Sequence, residues 1–396
     1  MYSNVSQFEP LFPDDTSELE ELAGELVAVS AKLEGRLSPV ALDDLRKLLR
    51  VVNSYYSNLI EGNATHPIDI ERAMKAVYSL DSDKRNRQIE SRIHIEVQEK
   101  IIKKLKTEAD LDVTSNDFLC WIHAEFYRQM PENLRWAKGE NNESEFVEAG
   151  KLRQQFVKVG THIAPLPDSI AKFLKRFNDA YKPNKLNGLR LFIALAAAHH
   201  RLMWIHPFLD GNGRVARLFT DAYFAKIGLD GYGIWNVSRG LARRRKEYRA
   251  KLEAADFPRE NDLDGRGNLS DRTLTEFCKF FLEICIDQAE YMNSLLELPK
   301  FLKRLEKYVQ LRNAGIIDGN ILHPKTAEVF KTLATQGEIS RGKVFEIIGM
   351  SERTGRNLLK NLFEEDLIRS DSPKGLVRLG FPAHAAHYWF PELYQT

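Results

Sequence analysis

The 396-residue chain has only three cysteines, Cys120, Cys278 and Cys285, too few for a disulfide framework and wrongly spaced for a metal knuckle. On a shared helix, Cys278 and Cys285 would stand about 10 Å apart, beyond disulfide reach. Net charge is equally scarce: 57 Lys plus Arg against 56 Asp plus Glu leave +1, which argues against a chain devoted wholly to gripping nucleic acid. The longest apolar run, Leu191–Ala198, is far short of the ~20 residues that span a bilayer. No basic residue precedes Lys32, so the N-terminus lacks a secretory-signal pattern. No Walker string GxxxxGK[ST] and no HExxH occur, and of His199, His200 and His206 the first two fall on different helix faces, a poor zinc set. Together these absences predict a cytoplasmic protein with no membrane partner. The 43% apolar and 29% charged composition is that of a folded chain, and the length suits two or three domains.

What is present is helical periodicity. Leu42, Leu45, Leu49, Val52, Tyr56 and Leu59 recur at three- and four-residue spacing, and the pattern continues through most of the first 310 residues. Helices are predicted over 41–60, 91–106, 187–205 and 272–314, the third apolar on most faces and so buried. Residues 150–167 carry a Val-Gly-Thr turn signal and predict a short β-hairpin. From 321 onward, helical patterns at 326–335, 341–348 and 351–365 precede a hairpin signal ending at Leu379, which predicts a winged helix-turn-helix. The domains expected are an N-terminal helical region (1–115), a core (116–260), linking helices (261–320) and the winged unit (321–396).

The segment His206-Pro207-Phe208-Leu209-Asp210-Gly211-Asn212-Gly213-Arg214-Val215-Ala216-Arg217 carries the chemistry. Pro207 stops the preceding helix, and Gly211 and Gly213 permit a tight turn into the next. Backbone N–H groups at that turn form a concave seat for phosphate, with Arg214 and Arg217 on neighbouring helical positions to add charge-assisted hydrogen bonds. Asp210 supplies a hard oxygen for Mg²⁺, and His206 is the group suited to removing a proton near neutral pH. A hydroxyl deprotonated by His206 would attack a phosphate held in the seat; the residues alone leave open which phosphate.

This segment resembles the Fic family signature, His-x-Phe-x-Asp/Glu-Gly-Asn-Gly-Arg-x-x-Arg. The resemblance implies a mainly α, Fic-type helical core with a short β-hairpin flap, transferring AMP from ATP to a Tyr, Thr or Ser hydroxyl of a target protein and releasing pyrophosphate with Mg²⁺. It implies His206 as general base, Phe208 as loop anchor, Asp210 as metal ligand, Gly211, Asn212 and Gly213 around the α- and β-phosphates, and Arg214 and Arg217 on the β and γ side. The 150–167 hairpin is similar to the family's target-docking flap, with Arg153, Val157, Val159 and Gly160 as its residues. Residues 238–252 are similar to its adenine-side helix, with Tyr248 near the base.

Glu61 stands where a helix ends before Gly62, so its carboxylate faces the negative end of the dipole and needs another reason to be there. Ser57-x-x-x-Glu61-Gly62 resembles the inhibitory motif of Fic proteins, which implies that Glu61 pairs with Arg217 and denies it to the γ-phosphate. In the C-terminal unit, Arg353, Arg356, Asn357 and Lys360 could contact DNA. Its ten Lys plus Arg against nine Asp plus Glu weaken that reading and leave protein contact or homodimerisation as alternatives. Two other functions stay open: a DNA-binding regulator with a sensory core, and a Fic-type enzyme transferring another phosphate-containing group. The cluster Arg239, Arg243, Arg244, Arg245, Lys246 and Arg249 reads either as a docking patch for nucleotide or target or as a solvated helix face.

Overall fold

The computed structural model describes residues 2–33, 35–63, 65–138, 144–229 and 233–394, which hold sixteen α-helices and three small antiparallel sheets. The chain is mainly α, and among the described residues no helix is long and apolar enough to cross a membrane.

Helix α1 (Ser17–Ala31) leads to α2 (Pro39–Glu61), whose limits follow from its sequence. The Ser38 hydroxyl accepts from the Ala41 N–H, and Pro39 supplies a helical φ at the first turn. At the other end Gly62 takes φ 97°, and the Asn63 N–H returns to the Asn58 carbonyl at 2.9 Å. After α3 (Pro67–Met74), α4 (Ser82–Thr107) begins well before residue 91, because Asp81 caps the Lys84 N–H. The α2 and α4 helices share a buried polar seam: Asn53 Nδ2 donates to Gln98 at 2.9 Å, Ser54 Oγ to the Ser91 carbonyl at 2.9 Å, and Asn58 Nδ2 to Ser91 Oγ at 3.0 Å. Such bonds fix register, since a one-turn slip would strand each buried donor.

Helix α5 (Asn116–Tyr127) precedes a hairpin that the sequence did not announce, β1 (Trp136–Lys138) with β2 (Ser144–Phe146). The expected hairpin follows as β3 (Lys158–Val159) and β4 (His162–Ile163), turning at Gly160 with φ 61°. Next come α6 (Ile170–Tyr181), α7 (Arg190–Ile205) and α8 (Asn212–Lys226). The α7 residues Ile193 to Ala198 are wholly buried, as the all-round apolar pattern requires. The 238–252 helix is two pieces, α9 (Val237–Arg243) and α10 (Arg245–Ala254), divided at Arg244. The single helix expected over 272–314 is also two, α11 (Asp271–Leu295) and α12 (Leu298–Asn313): Pro299 lies in the first turn of α12, where a missing N–H is tolerated but a continuous ladder is not.

The C-terminal unit runs α13 (Thr326–Gln336), β5 (Glu338–Ile339), α14 (Arg341–Ile348), α15 (Glu352–Glu364), β6 (Ile368–Arg369), β7 (Val377–Leu379) and α16 (Ala383–Trp389), with strand order β5-β7-β6. Strand β5 and helix α16 were not anticipated. Trp389 explains α16: it is fully buried, its ring against Tyr308, Phe330 and Phe381. This unit grips α2 through Asp44, which is 1% exposed and meets Arg378 Nε at 2.5 Å, Arg369 Nη1 at 3.1 Å and Lys47 Nζ at 2.7 Å. Burial pushes the Asp44 carboxyl up, but these cations outweigh it and hold it below its ordinary value. Asp44→Ala would leave Arg378 buried without that partner, so chemical denaturation should report a loss of about 3 kcal/mol, with Asp44→Asn losing less; a change within error for both variants would contradict the clamp.

Candidate functional site

The site begins where α7 ends. His206 caps that helix in the left-handed region, φ 49° and ψ 59°, a strained conformation for a histidine that needs outside support. Arg153 provides it: its Nε donates to the His206 carbonyl at 2.7 Å, Nη1 to Gln155 O at 2.7 Å and Nη2 to Pro165 O at 2.7 Å, while its N–H donates to Pro207 O at 3.0 Å. The His206 Nδ1–H donates to the Met203 carbonyl at 3.3 Å, which leaves Nε2 as the nitrogen without a proton. Burial, reinforced by the Arg153 charge, lowers the His206 pKa to about 4. The imidazole is therefore neutral at pH 7 and able to accept a proton.

Behind this loop stands a stack that sequence reading missed. The His123 ring lies flat against Phe208, 4.1 Å between centroids at 9°, and against Tyr127 on its other side at 4.4 Å. The Gly150 N–H donates to His123 Nδ1 at 2.8 Å, so Nε2 carries the proton and points to the Asp210 carbonyl at 3.3 Å. Burial lowers the His123 pKa to about 4. Phe208 is wholly buried in this stack. Asn212 closes the loop on itself, its side chain accepting from the Phe208 N–H at 2.9 Å and donating to the Phe208 carbonyl at 2.8 Å. At Gly211 (φ 80°) an added Cβ would lie 2.8 Å from the Tyr127 ring, so both conformation and space require glycine. The only sequence signal for this support was the aromatic pair His123 and Tyr127 at i, i+4 on α5.

The first turn of α8 has backbone N–H groups without intrahelical partners, where Gly211 is the N-cap and Asn212, Gly213 and Arg214 follow. Arg217 is buried beside it: Nε donates to Ser57 Oγ at 2.9 Å, and Nη2 to Ser57 O at 3.1 Å and to Glu61 Oε1 at 2.5 Å. A Cβ added to Gly213 would lie 2.5 Å from that same Glu61 oxygen. The Glu61 carboxylate thus rests against the anion seat of α8. Burial pushes it up, but Arg217 and Arg214 outweigh burial and hold it ionised. Arg214 pairs with Glu90 at 2.7 Å, a partner 124 positions away that sequence reading did not find. The end of α2 is braced as well, with Arg245 Nη1 donating to Leu59 O and Arg249 Nη2 to Ile60 O, both at 3.1 Å. These charges offset the unfavourable position of Glu61 at the helix C-terminus.

Several placements differ from expectation. Arg153 is 2% exposed and spent on loop carbonyls, so it supports the histidine loop and offers nothing to a docked segment. Val159 and Gly160 are exposed on the hairpin and Val157 is half-buried, joined by exposed Phe156 and Ile163. Tyr248 is buried, its hydroxyl 2.7 Å from His199 Nε2, so it packs behind α7 and presents no open ring face to a base. Of the 239–249 cations, Arg239 is buried, Arg244 and Arg245 are half-buried, and Arg243, Lys246 and Arg249 are exposed. Beyond the two braces, Arg239 meets Gln288 and the Glu392 carbonyl, and Arg244 meets Glu247.

Asp210 accepts from the Tyr127 hydroxyl at 2.6 Å on Oδ2, and its pKa is lowered because Arg214 and that bond outweigh burial. An ionised carboxylate of this kind fits Mg²⁺, which is commonly held by one protein carboxylate and substrate phosphates. No group of three or more His, Cys, Asp or Glu side chains that could hold a metal exists among the described residues.

His94, His123 and His199 are buried and His206 is half-buried, with pKa values lowered to about 3, 4, 3 and 4, chiefly by desolvation. The unfolded chain binds these protons near pH 6.5, so stability falls as pH drops from 6.5 toward 4. Thermal unfolding at fixed ionic strength should show a clearly lower midpoint at pH 5 than at pH 7.5; equal midpoints would contradict the buried neutral state.

Residues 113–224 match the Fic/DOC family model. The chain is similar to the protein adenylyltransferase Fic of Drosophila grimshawi, 37% identical over 82 residues, covering 21% of this chain and 17% of that protein. It is similar to the protein adenylyltransferase Fic of Nematostella vectensis at 38% over 82 residues, 21% of this chain and 19% of that one. The match thus spans less than a fifth of either relative. A solved Fic family protein from Desulfovibrio desulfuricans G20 shares the fold, with TM-score 0.52, 20% identity, and coverage of 90% of this chain and 95% of that one. The chain thus carries a Fic/DOC family domain on residues 113–224.

Proposed function

We propose that this chain is a self-restrained protein adenylyltransferase, moving AMP from ATP to a hydroxyl of a target protein. The observation that carries the reading is the Glu61 carboxylate against Gly213, held by Arg217. A carboxylate seated there supports both an anion-binding role for the α8 N-terminus and its obstruction at rest.

His206 Nε2 takes the proton of the target hydroxyl, whose oxygen attacks the α-phosphorus. The bond from the α-phosphorus to the α–β bridging oxygen breaks, and pyrophosphate leaves. The α8 N–H groups and Arg214 bind phosphate oxygens, and Arg217 does so once Glu61 releases it. Arg153 and the His123 stack keep His206 and the seat in register. Mg²⁺, when bound at Asp210, supplies neutralisation of phosphate charge. The exposed β3–β4 hairpin, with Val159 at its tip, lies in the chain directly after Arg153 and supports a role in aligning an extended target segment. While Arg217 is paired, ATP has no cation for its γ-phosphate and sits away from the in-line geometry.

The sequence α13 to β7 and the order β5-β7-β6 support a winged-helix reading of the C-terminal unit. We assign that unit to holding α2, since Arg369 and Arg378 of its strands are spent on Asp44. DNA binding is the second reading, favoured by one observation: Arg353, Arg356, Asn357 and Lys360 all lie exposed on α15.

With α-labelled ATP and a cell lysate, Glu61→Gly should raise protein labelling at least tenfold over wild type, and adding His206→Ala should reduce it at least ~100-fold. Equal labelling by wild type and Glu61→Gly would remove the restraint, and labelling from γ-labelled ATP instead would replace AMP transfer with phosphoryl transfer.

A further inference from the structure

We infer that the cleft between α2, α4 and α8 is a binding site for a small amphipathic anion, one with an apolar body of fused-ring size and a single acidic head. The cleft encloses about 1030 Å³, at the upper end of the range for small-molecule sites. Its inner surface includes Leu49, Ile101, Leu218, Phe224 and Trp235, all buried, which suits an apolar body. Four buried polar atoms of lining residues have no hydrogen-bond partner among the described residues: Arg50 Nε, Asn53 Oδ1, Trp235 Nε1 and Arg378 Nη1, three of them donors. Asn53 is 4% exposed and its Nδ2 is already spent on Gln98 and Asp221, so its oxygen is an acceptor left over.

The charge pattern selects the sign of the head group. Five of the six acids of the lining are met by a cation, Asp44 by Arg378 and Lys47, Glu99 by Arg50, Asp43 by Arg46, and Asp371 and Glu338 by Arg378, while the sixth, Asp221, accepts from Asn53 Nδ2. Lys103 and Lys106, one helical turn apart on α4, are exposed at the lining and have no ion-pair partner among the described residues. Two unpaired ammonium groups beside an apolar interior complement a carboxylate, sulfonate or phosphate whose tail goes inward. One wall is α2, so an occupant braces the helix that bears Glu61 at its far end. The binding claim does not rest on the transferase reading, because its readout needs no ATP.

The full chain is titrated with 8-anilinonaphthalene-1-sulfonate, followed by probe fluorescence. Saturable binding is expected, at least tenfold weaker in the double variant Lys103→Glu, Lys106→Glu and weakened by added salt. The control pair Lys172→Glu, Lys175→Glu, with the same spacing on α6, should bind as wild type. The uncharged counterpart N-phenyl-1-naphthylamine should bind at least tenfold more weakly than the sulfonate. Wild-type affinity in the Lys103 and Lys106 variant, equal loss in the control pair, or equal affinity for the uncharged probe would each overturn the assignment. Circular dichroism melts of all variants separate a lost site from a lost fold.

Discussion

Arg217 is the residue on which the rest of this site depends. Its guanidinium is 2% exposed, so its charge must be met within the protein, and Ser57 and Glu61 of α2 meet it. That pairing joins a helix outside the matched 113–224 segment to the first turns of α8. Under the proposed reading, catalysis and restraint compete for one cation. Ser57 can keep the guanidinium in place after Glu61 leaves, so release need not dismantle the site.

The geometry around that pair is held from three sides. On one, Arg245 and Arg249 satisfy the last carbonyls of α2. On another, Asp44 ties the start of the same helix to Arg369 and Arg378. With ~1.5 Å of rise per residue, Asp44 and Glu61 are about 25 Å apart along one continuous helix, so movement at one end is felt at the other. On the third, the Phe208, His123 and Tyr127 stack ties the loop to α5 and, through Gly150, to the segment that leads into the hairpin.

What could be read in the sequence was what is contiguous in it. His206 to Arg217 lie within twelve residues, so the turn, the helix start and the cations could be foreseen together, and α2 was foreseen to within two residues at its start and one at its end because its cap residues are local. Partners distant in sequence were not legible. Glu90 reaches Arg214, Arg245 reaches Leu59 and Asp44 reaches Arg378 across 124, 186 and 334 positions, and no periodicity encodes such pairs. Arg153 shows the same limit: its motif position was visible, but of the carbonyls it bonds only Gln155 is near in sequence, and His206 lies 53 positions on. Pro299 was a local signal that the long 272–314 helix overrode, and it did divide α11 from α12.

Under the proposed function, the Glu61 carboxylate stands in for a substrate anion at the α8 N-terminus. Calorimetric binding of ATP to wild type and to Glu61→Gln tests it without any transfer step, since the variant keeps the side-chain shape and removes the charge. The variant should bind ATP at least tenfold more tightly, with a larger share lost on adding salt. Equal affinities would mean that Glu61 and ATP do not share the seat, and would contradict that role.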